Sequence, residues 1–358
     1  MANVSPESTE PRDATDLLGH EAAERQFLDA WTAGRLAHSW LIAGPRGIGK
    51  ASFAYRVARF VLAGGGEGGG LFGGGPESLA IPPAHPVFRR IAAKGHPDLR
   101  VIERGLTADG RKMQSEIPVE AVRTIGSFLA LTPAEGGWRV VIIDAVDDLN
   151  RSGANAILKL VEEPPRNALI LLVSHSPDRL LPTIRSRCRR LTLRPLAEDA
   201  VVTLLGRRLP DLAEPDARAV ARIAEGSIGR ALALVEGEGL ALYRDMIALL
   251  QDAPKFDIAA LHGFADKVGG DEEKSHTVEA LFMRWLATAA GRGAKTAPEA
   301  VAGEAALGER LVAQAGLDRW LDLWDRTVKG FERAEAVNLD RKQVLLNAFL
   351  AVERVLRP

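Results

Sequence analysis

Gly44-Pro45-Arg46-Gly47-Ile48-Gly49-Lys50 spells G-x-x-x-x-G-K. Before it, Trp40-Leu41-Ile42-Ala43 is a short apolar run that reads as a strand. After it, Ala54, Val57, Ala58 and Val61 recur at helical spacing. Strand, glycine loop and helix in this order is the context that a phosphate-binding loop requires. In such a loop the glycines let backbone N–H groups turn inward around phosphate oxygens. The following helix offers its positive N-terminal end, and the lysine reaches the β/γ-phosphates. Gly44, Gly47, Gly49 and Lys50 are therefore candidate nucleotide-binding residues.

The surrounding residues keep alternating between strand and helix patterns. Leu99 to Glu103, Arg139 to Asp144, Ala168 to Val173 and Arg190 to Leu193 read as strands. The unbroken apolar stretch from Arg139 to Asp144 suits a strand buried on both faces. Pro118 to Leu131 and Asn155 to Glu163 read as helices, the second stopped by Pro164-Pro165. This alternation predicts an α/β core with a parallel sheet over residues 15–195. Residues 1–14 lack the apolar groups that offset ordering entropy and read as a disordered arm. Gly64 to Gly75 holds nine glycines in twelve positions and reads as a flexible insertion over 64–85. From Leu196 the strand signals disappear. Ala197 to Arg207, Glu214 to Ala224 and Arg230 to Glu236 read as short helices, and Phe331 to Leu356 carries one long amphipathic pattern. Trp320 and Trp324, four residues apart, read as a helix–helix core.

Composition narrows the classes. Lys and Arg total 46 and Asp and Glu total 47, so a broadly basic nucleic-acid binder is disfavoured. Cys188 is the single cysteine, which excludes an intramolecular disulfide and a multi-cysteine zinc module and suits a reducing cytosol. No apolar segment reaches the length of a membrane span, and Met1 to Asp16 lacks the apolar core of a signal peptide. A cytoplasmic protein without a membrane partner is expected.

The phosphate loop is incomplete for catalysis. The position after Lys50 ordinarily holds Ser or Thr, whose hydroxyl coordinates magnesium; here it is Ala51. Ser52 lies one residue later, turned about 100° around the helix. Asp144 ends its strand where an acid holds the metal. The next residue in many P-loop ATPases of the AAA+ type is a Glu that activates water; here it is Ala145. Asp147 and Asp148 follow on a turn beyond the strand end. Loss of a metal ligand and a general base together lowers hydrolysis by roughly several powers of ten.

Arg185-Ser186-Arg187-Cys188-Arg189-Arg190 is a dense cationic strip. It reads either as a solvated or phosphate-contacting patch, or as an arginine finger presented to a neighbouring subunit's nucleotide. His96-Pro97-Asp98 reads as a loop entering a strand rather than a metal site, and His38 and His175 as polar-contact residues beside strand ends. Cys188 has an electropositive setting, but packing is its favoured role.

The phosphate loop, His96-Pro97-Asp98-Leu99, Glu162-Glu163-Pro164-Pro165, Ser186-Arg187-Cys188 and the late Asn338 to Gln343 together resemble the delta-prime family of bacterial clamp-loader AAA+ subunits. The resemblance spans residues 17 to 235 and returns at Asn338 to Gln343. It implies an AAA+ P-loop core over 15–195, a helical lid over 196–238 and an all-α collar that oligomerises over 239–358. It implies a stationary partner of ATP-hydrolysing motor subunits and a delta subunit, acting on a sliding clamp and primed DNA through the DNA polymerase III holoenzyme. Carried over, Arg187 is the finger acting in trans, Gly44 through Ala51 the phosphate loop, Asp144 the magnesium acid, and sensor 1 lies near Ser174. In the lid, Gly226-Ser227-Ile228-Gly229-Arg230 displaces the sensing arginine by one helical step. With Ala51 and Ala145 this implies a pseudo-ATPase that holds ATP or ADP weakly. Many relatives carry a four-cysteine zinc knuckle where this chain has its polyglycine insertion, so no structural zinc is expected. Two other readings stay open: a motor-type ATPase that hydrolyses ATP itself, and a stand-alone nucleotide- or DNA-binding adaptor.

Overall fold

The computed structural model of this chain describes residues 10–65, 75–107, 110, 112–291, 298–337 and 339–357. They form two compact units, Met1–Ala200 and Val201–Pro358.

The first unit is built in the order α1 (Glu21–Thr32), β1 (Ser39–Ala43), α2 (Lys50–Leu62), α3 (Pro86–Ala92), β2 (Leu99–Glu103), α4 (Val119–Ala130), β3 (Arg139–Asp144), α5 (Arg151–Glu162), β4 (Ala168–Ser174), α6 (Pro182–Arg187) and β5 (Arg189–Thr192). The strands form one parallel sheet in the order β2-β3-β4-β1-β5. β1 lies between β4 and β5, with Ala43 level with Ser174 and Thr192. The phosphate loop therefore leaves from an interior strand, next to the edge strand β5.

Alternation along the strands divides the core. Trp40, Ile42, Val140, Ile142, Leu169 and Leu171 face one side, where Phe27 of α1, Phe53 and Val57 of α2 and Phe88 of α3 cover them. Leu41, Val141, Ile143, Ile170 and Leu172 face the other, against Ile125 of α4, Ile157 of α5 and Ile184 of α6. A sheet covered on both faces needs apolar residues at every strand position, and β4 is buried along its whole length. α5 starts where the Asn150 side chain accepts the Gly153 N–H at 2.9 Å, and ends before Pro164.

Two expectations are corrected in this unit. The arm does not extend to residue 14: the buried Arg59 guanidinium donates to the backbone oxygens of Arg12 (3.2 Å) and Ala14 (2.7 Å). Residues 1–9 of that arm lie outside the described residues. The insertion also ends earlier than expected. Residues 66–74 lie outside the described residues, but Leu79 and Ile81 are buried in the core and the Leu79 N–H donates to Glu24 Oε1 at 2.6 Å. Both errors share a cause: the anchors, Arg59 and Glu24, are charged side chains whose partners are distant in sequence.

α7 (Glu198–Arg208) leads into the second unit, which is helical: α8 (Glu214–Ala224), α9 (Ile228–Glu236), α10 (Gly239–Gln251), α11 (Ile258–Gly269), α12 (Glu272–Gly291), α13 (Glu304–Ala315), α14 (Leu317–Ala336) and α15 (Arg341–Leu356). Its core is aromatic. Phe282 lies 5.4 Å from Phe349, and Trp285 lies 5.6 Å from Trp320, whose indole N–H donates to the Leu286 oxygen. Trp324 does not join this core and is 38% exposed. The single amphipathic pattern expected over Phe331 to Leu356 is two helices. The Asp340 carboxylate caps α15 by accepting the Lys342 N–H at 2.9 Å.

Candidate functional site: the phosphate loop and its surroundings

Gly44 opens the loop with its N–H on the Ser174 oxygen at 3.3 Å. A Cβ at Gly44 would lie 2.5 Å from the Leu193 oxygen, so no larger residue fits. Gly49 caps α2 at φ +96°, a left-handed conformation that leaves the first-turn N–H groups facing the loop. Gly47, between them, also has positive φ. The loop rests on His20, at the start of α1. His20 is buried, and its Nε2 donates to the Ile48 oxygen at 2.7 Å. Burial lowers its pKa, which favours the neutral form of the ring. Nothing in the sequence around this histidine signals the contact.

Lys50 is buried with its ammonium bonded to the Pro45 oxygen, so the side chain folds across its own loop. Burial lowers its pKa to about 8, against the opposing charges of Asp144 and Asp147. Asp144 ends β3 opposite Glu103 of β2. Burial and the Glu103 charge raise the Asp144 pKa to about 6, and Lys50 counters them. Lys50 and Asp144 thus influence each other electrostatically at the end of the sheet.

The positions after Lys50 and Asp144 carry methyl groups, and the carboxylates of the following turn are engaged. Ala51 brings no hydroxyl, and Ala145 is a buried methyl. The nearest carboxylates do not replace a base at position 145. Asp147 accepts the Ser174 hydroxyl at 2.9 Å, the His175 N–H at 2.6 Å and the Ser176 N–H at 3.1 Å. Asp148 is paired with Arg104 at 3.0 Å.

Ser174, expected near the sensor 1 position, is fully buried and its proton goes to Asp147. It does not offer that proton to a ligand in this geometry. The next residue, His175, has its backbone N–H on Asp147, and its ring Nδ1 is buried with no hydrogen-bond partner among the described residues. Strand β4 is buried on both faces, so no alternation in the sequence fixes which residue at its end faces the loop.

Arg187 lies apart from this pocket, at the end of α6. Its Nη2 is 3.0 Å from Glu162 Oε1, its Nη1 donates to the Thr183 oxygen at 3.1 Å, and its side chain is 40% exposed. The rest of the cationic strip divides: Arg185 pairs with Asp178, and Arg189 lies over the Trp40 ring at 5.0 Å. Cys188 is buried, which raises its thiol to about 11.

Asp98 is buried and structural. Its carboxylate accepts the N–H groups of Ala134 (2.9 Å) and Glu135 (3.1 Å) and faces Arg139. Among the described residues no group of three or more His, Cys, Asp or Glu is placed to hold a metal ion, and no helix is long and apolar enough to cross a membrane. In the second unit, Arg230 is 3.6 Å from Glu225, while Ser227 caps α9 by accepting the Arg230 N–H.

Residues 19–197 match the family model described as DNA polymerase III, delta subunit. The chain is 35% identical over 175 residues to the DNA polymerase III subunit delta' of Pseudomonas aeruginosa, covering 49% of this chain and 48% of that protein. It is 32% identical to the subunit delta' of Escherichia coli over 60% of this chain and 59% of that one. It is 28% identical to the DNA polymerase III subunit gamma of Buchnera aphidicola over 69% of this chain and 66% of that one. The matched stretch spans about half of the Pseudomonas relative's own length.

Proposed function

We propose that this chain, which belongs to the DNA polymerase III delta-subunit family, is a stationary pseudo-ATPase of the clamp loader that supplies Arg187 to a neighbouring motor subunit. One contrast supports the reading: the chain keeps a guanidinium at its surface for use in trans, while its own pocket lacks both the hydroxyl of position 51 and a carboxylate at position 145. An arginine finger stabilises charge on the γ-phosphate during transfer and acts on a nucleotide bound next door.

The partners in this reading are the motor subunits and the delta subunit, with the sliding clamp and primed DNA reached through the complex. The residues present fit a phosphate group better than a magnesium ion. The glycine backbone and Lys50 remain, but a magnesium ion would find Asp144 without the hydroxyl that shares it. The loop therefore holds ATP or ADP weakly and without turnover.

Calorimetric titration of ATP with magnesium into the isolated chain tests this, with product analysis of the same sample. Binding heat without ADP formation is the expected result. Sustained magnesium-dependent turnover by the purified chain would instead mark a motor-type ATPase.

A further inference from the structure

We propose that the outer edge of β2 is a docking groove for an extended segment of a partner protein. The segment carries both carboxylates and apolar side chains, and adds to the sheet as a sixth strand beside β2. Neither the phosphate loop nor Arg187 takes part.

The backbone of β2 is open on one side. β2 ends the sheet and pairs with β3 alone. The Val140 N–H donates to the Asp98 oxygen at 2.9 Å, which fixes the direction of every backbone group along this parallel ladder. Even-numbered residues of β2 face β3, and Leu99, Val101 and Glu103 turn their N–H and C=O groups outward. The Leu99 N–H closes back on the His96 oxygen at 3.3 Å. The Val101 N–H and C=O have no hydrogen-bond partner among the described residues. Such an edge is a template for an added strand.

A cleft of about 620 Å³ runs along this edge, with Ile91 and Lys94 on one wall and Phe128 and Leu131 on the other. Leu131 is 62% exposed. The chemistry of the occupant follows from the charges. Arg12 and Arg139, which also line the cleft, are already paired with Glu10 and Asp98. Lys94 and Arg100 are exposed and have no ion pair among the described residues. The Arg100 guanidinium lies 5.5 Å from the centre of the Phe128 ring, which puts it on the second wall. Each wall therefore offers apolar surface and one cation. Successive side chains of an added strand point to alternate walls, so carboxylates and apolar groups on both faces of the segment complement them. Glu103, exposed at the far end of β2, sets the acids of the segment toward the Leu99 end.

The test selects peptides from a random display library on the full wild-type chain and measures the enriched ones by fluorescence anisotropy. Enriched peptides are expected to combine Asp or Glu with Val, Ile, Leu or Phe. Val101→Pro removes an outward N–H and leaves the bonds to β3, and is expected to weaken these peptides about tenfold. Lys94→Glu with Arg100→Glu is expected to weaken them about tenfold as well. No enrichment, or peptides that bind wild type and both variants equally, overturns the proposal. A wild-type dimer that Val101→Pro dissolves would make a second copy the occupant. Peptide binding seen only after deletion of residues 1–9 would make the chain's own arm the occupant. Either result also overturns it. Should Val101→Pro not fold, amide exchange in the wild type serves instead. Exchange of the Val101 N–H slows on adding an enriched peptide if a strand is added, and is unchanged if the proposal fails.

Discussion

Arg187 and Glu162 face each other at 3.0 Å, joining the last residue of α6 to the last residue of α5. Both side chains are about two-fifths exposed, so solvent screens the pair. It holds the guanidinium near the surface without locking it. Glu162→Gln is expected to change folding stability by less than about 1 kcal/mol in urea denaturation. A larger loss would mean that the pair is structural and that Arg187 is not available to a partner.

Asp147 satisfies two backbone N–H groups and one hydroxyl at the end of β4. Asp147→Ala leaves these donors without that acceptor, at a cost of about 1–3 kcal/mol for each one that stays buried and unpaired. We expect a total loss of about 3 kcal/mol, read by urea denaturation. An unchanged midpoint would show that the turn after β4 does not depend on this carboxylate.

The Asp144 carboxyl is raised to about 6 from 3.8, so the folded chain binds this proton more tightly than the unfolded chain. The ionised form opposes folding. This cost is absent below the unfolded value, grows as pH rises from about 4 to 6, and is complete above that window. Asp144→Asn should therefore stabilise the protein by about 1–2 kcal/mol at pH 7.5 and by little at pH 4. Equal effects at the two pH values in urea titrations would contradict the raised pKa.

A thiol at about 11 is almost wholly protonated at pH 8, and Cys188 is also buried. Its alkylation in the native chain should be at least about a hundredfold slower than that of a free thiol, and should recover in denaturant. Rapid native labelling would place Cys188 at an open surface.

The strands were the most legible part of the fold, because a sheet covered on both faces forces continuous apolar runs. The runs read from Arg139 and Ala168 match the starts of β3 and β4. Helix α1 gave no such signal: its buried face uses Ala23 and Ala30 beside Phe27 and Leu28, and alanine marks periodicity poorly. The break between α14 and α15 was hidden because apolar spacing continues across Val337 and Leu339, which are in fact exposed. At the site, Gly44 to Lys50 and Asp144 could be read because motif and strand end coincide. The contacts of His20 and Asp147 could not, since each joins residues far apart in the chain.

The most direct test of the central claim is ATP turnover by a reconstituted clamp loader carrying Arg187→Ala, with assembly followed by gel filtration. We predict an intact complex in which hydrolysis at the site beside this subunit falls by about 10³-fold or more. Undiminished hydrolysis at that site in an intact complex would contradict the claim that this chain acts through Arg187 on a nucleotide held by its neighbour.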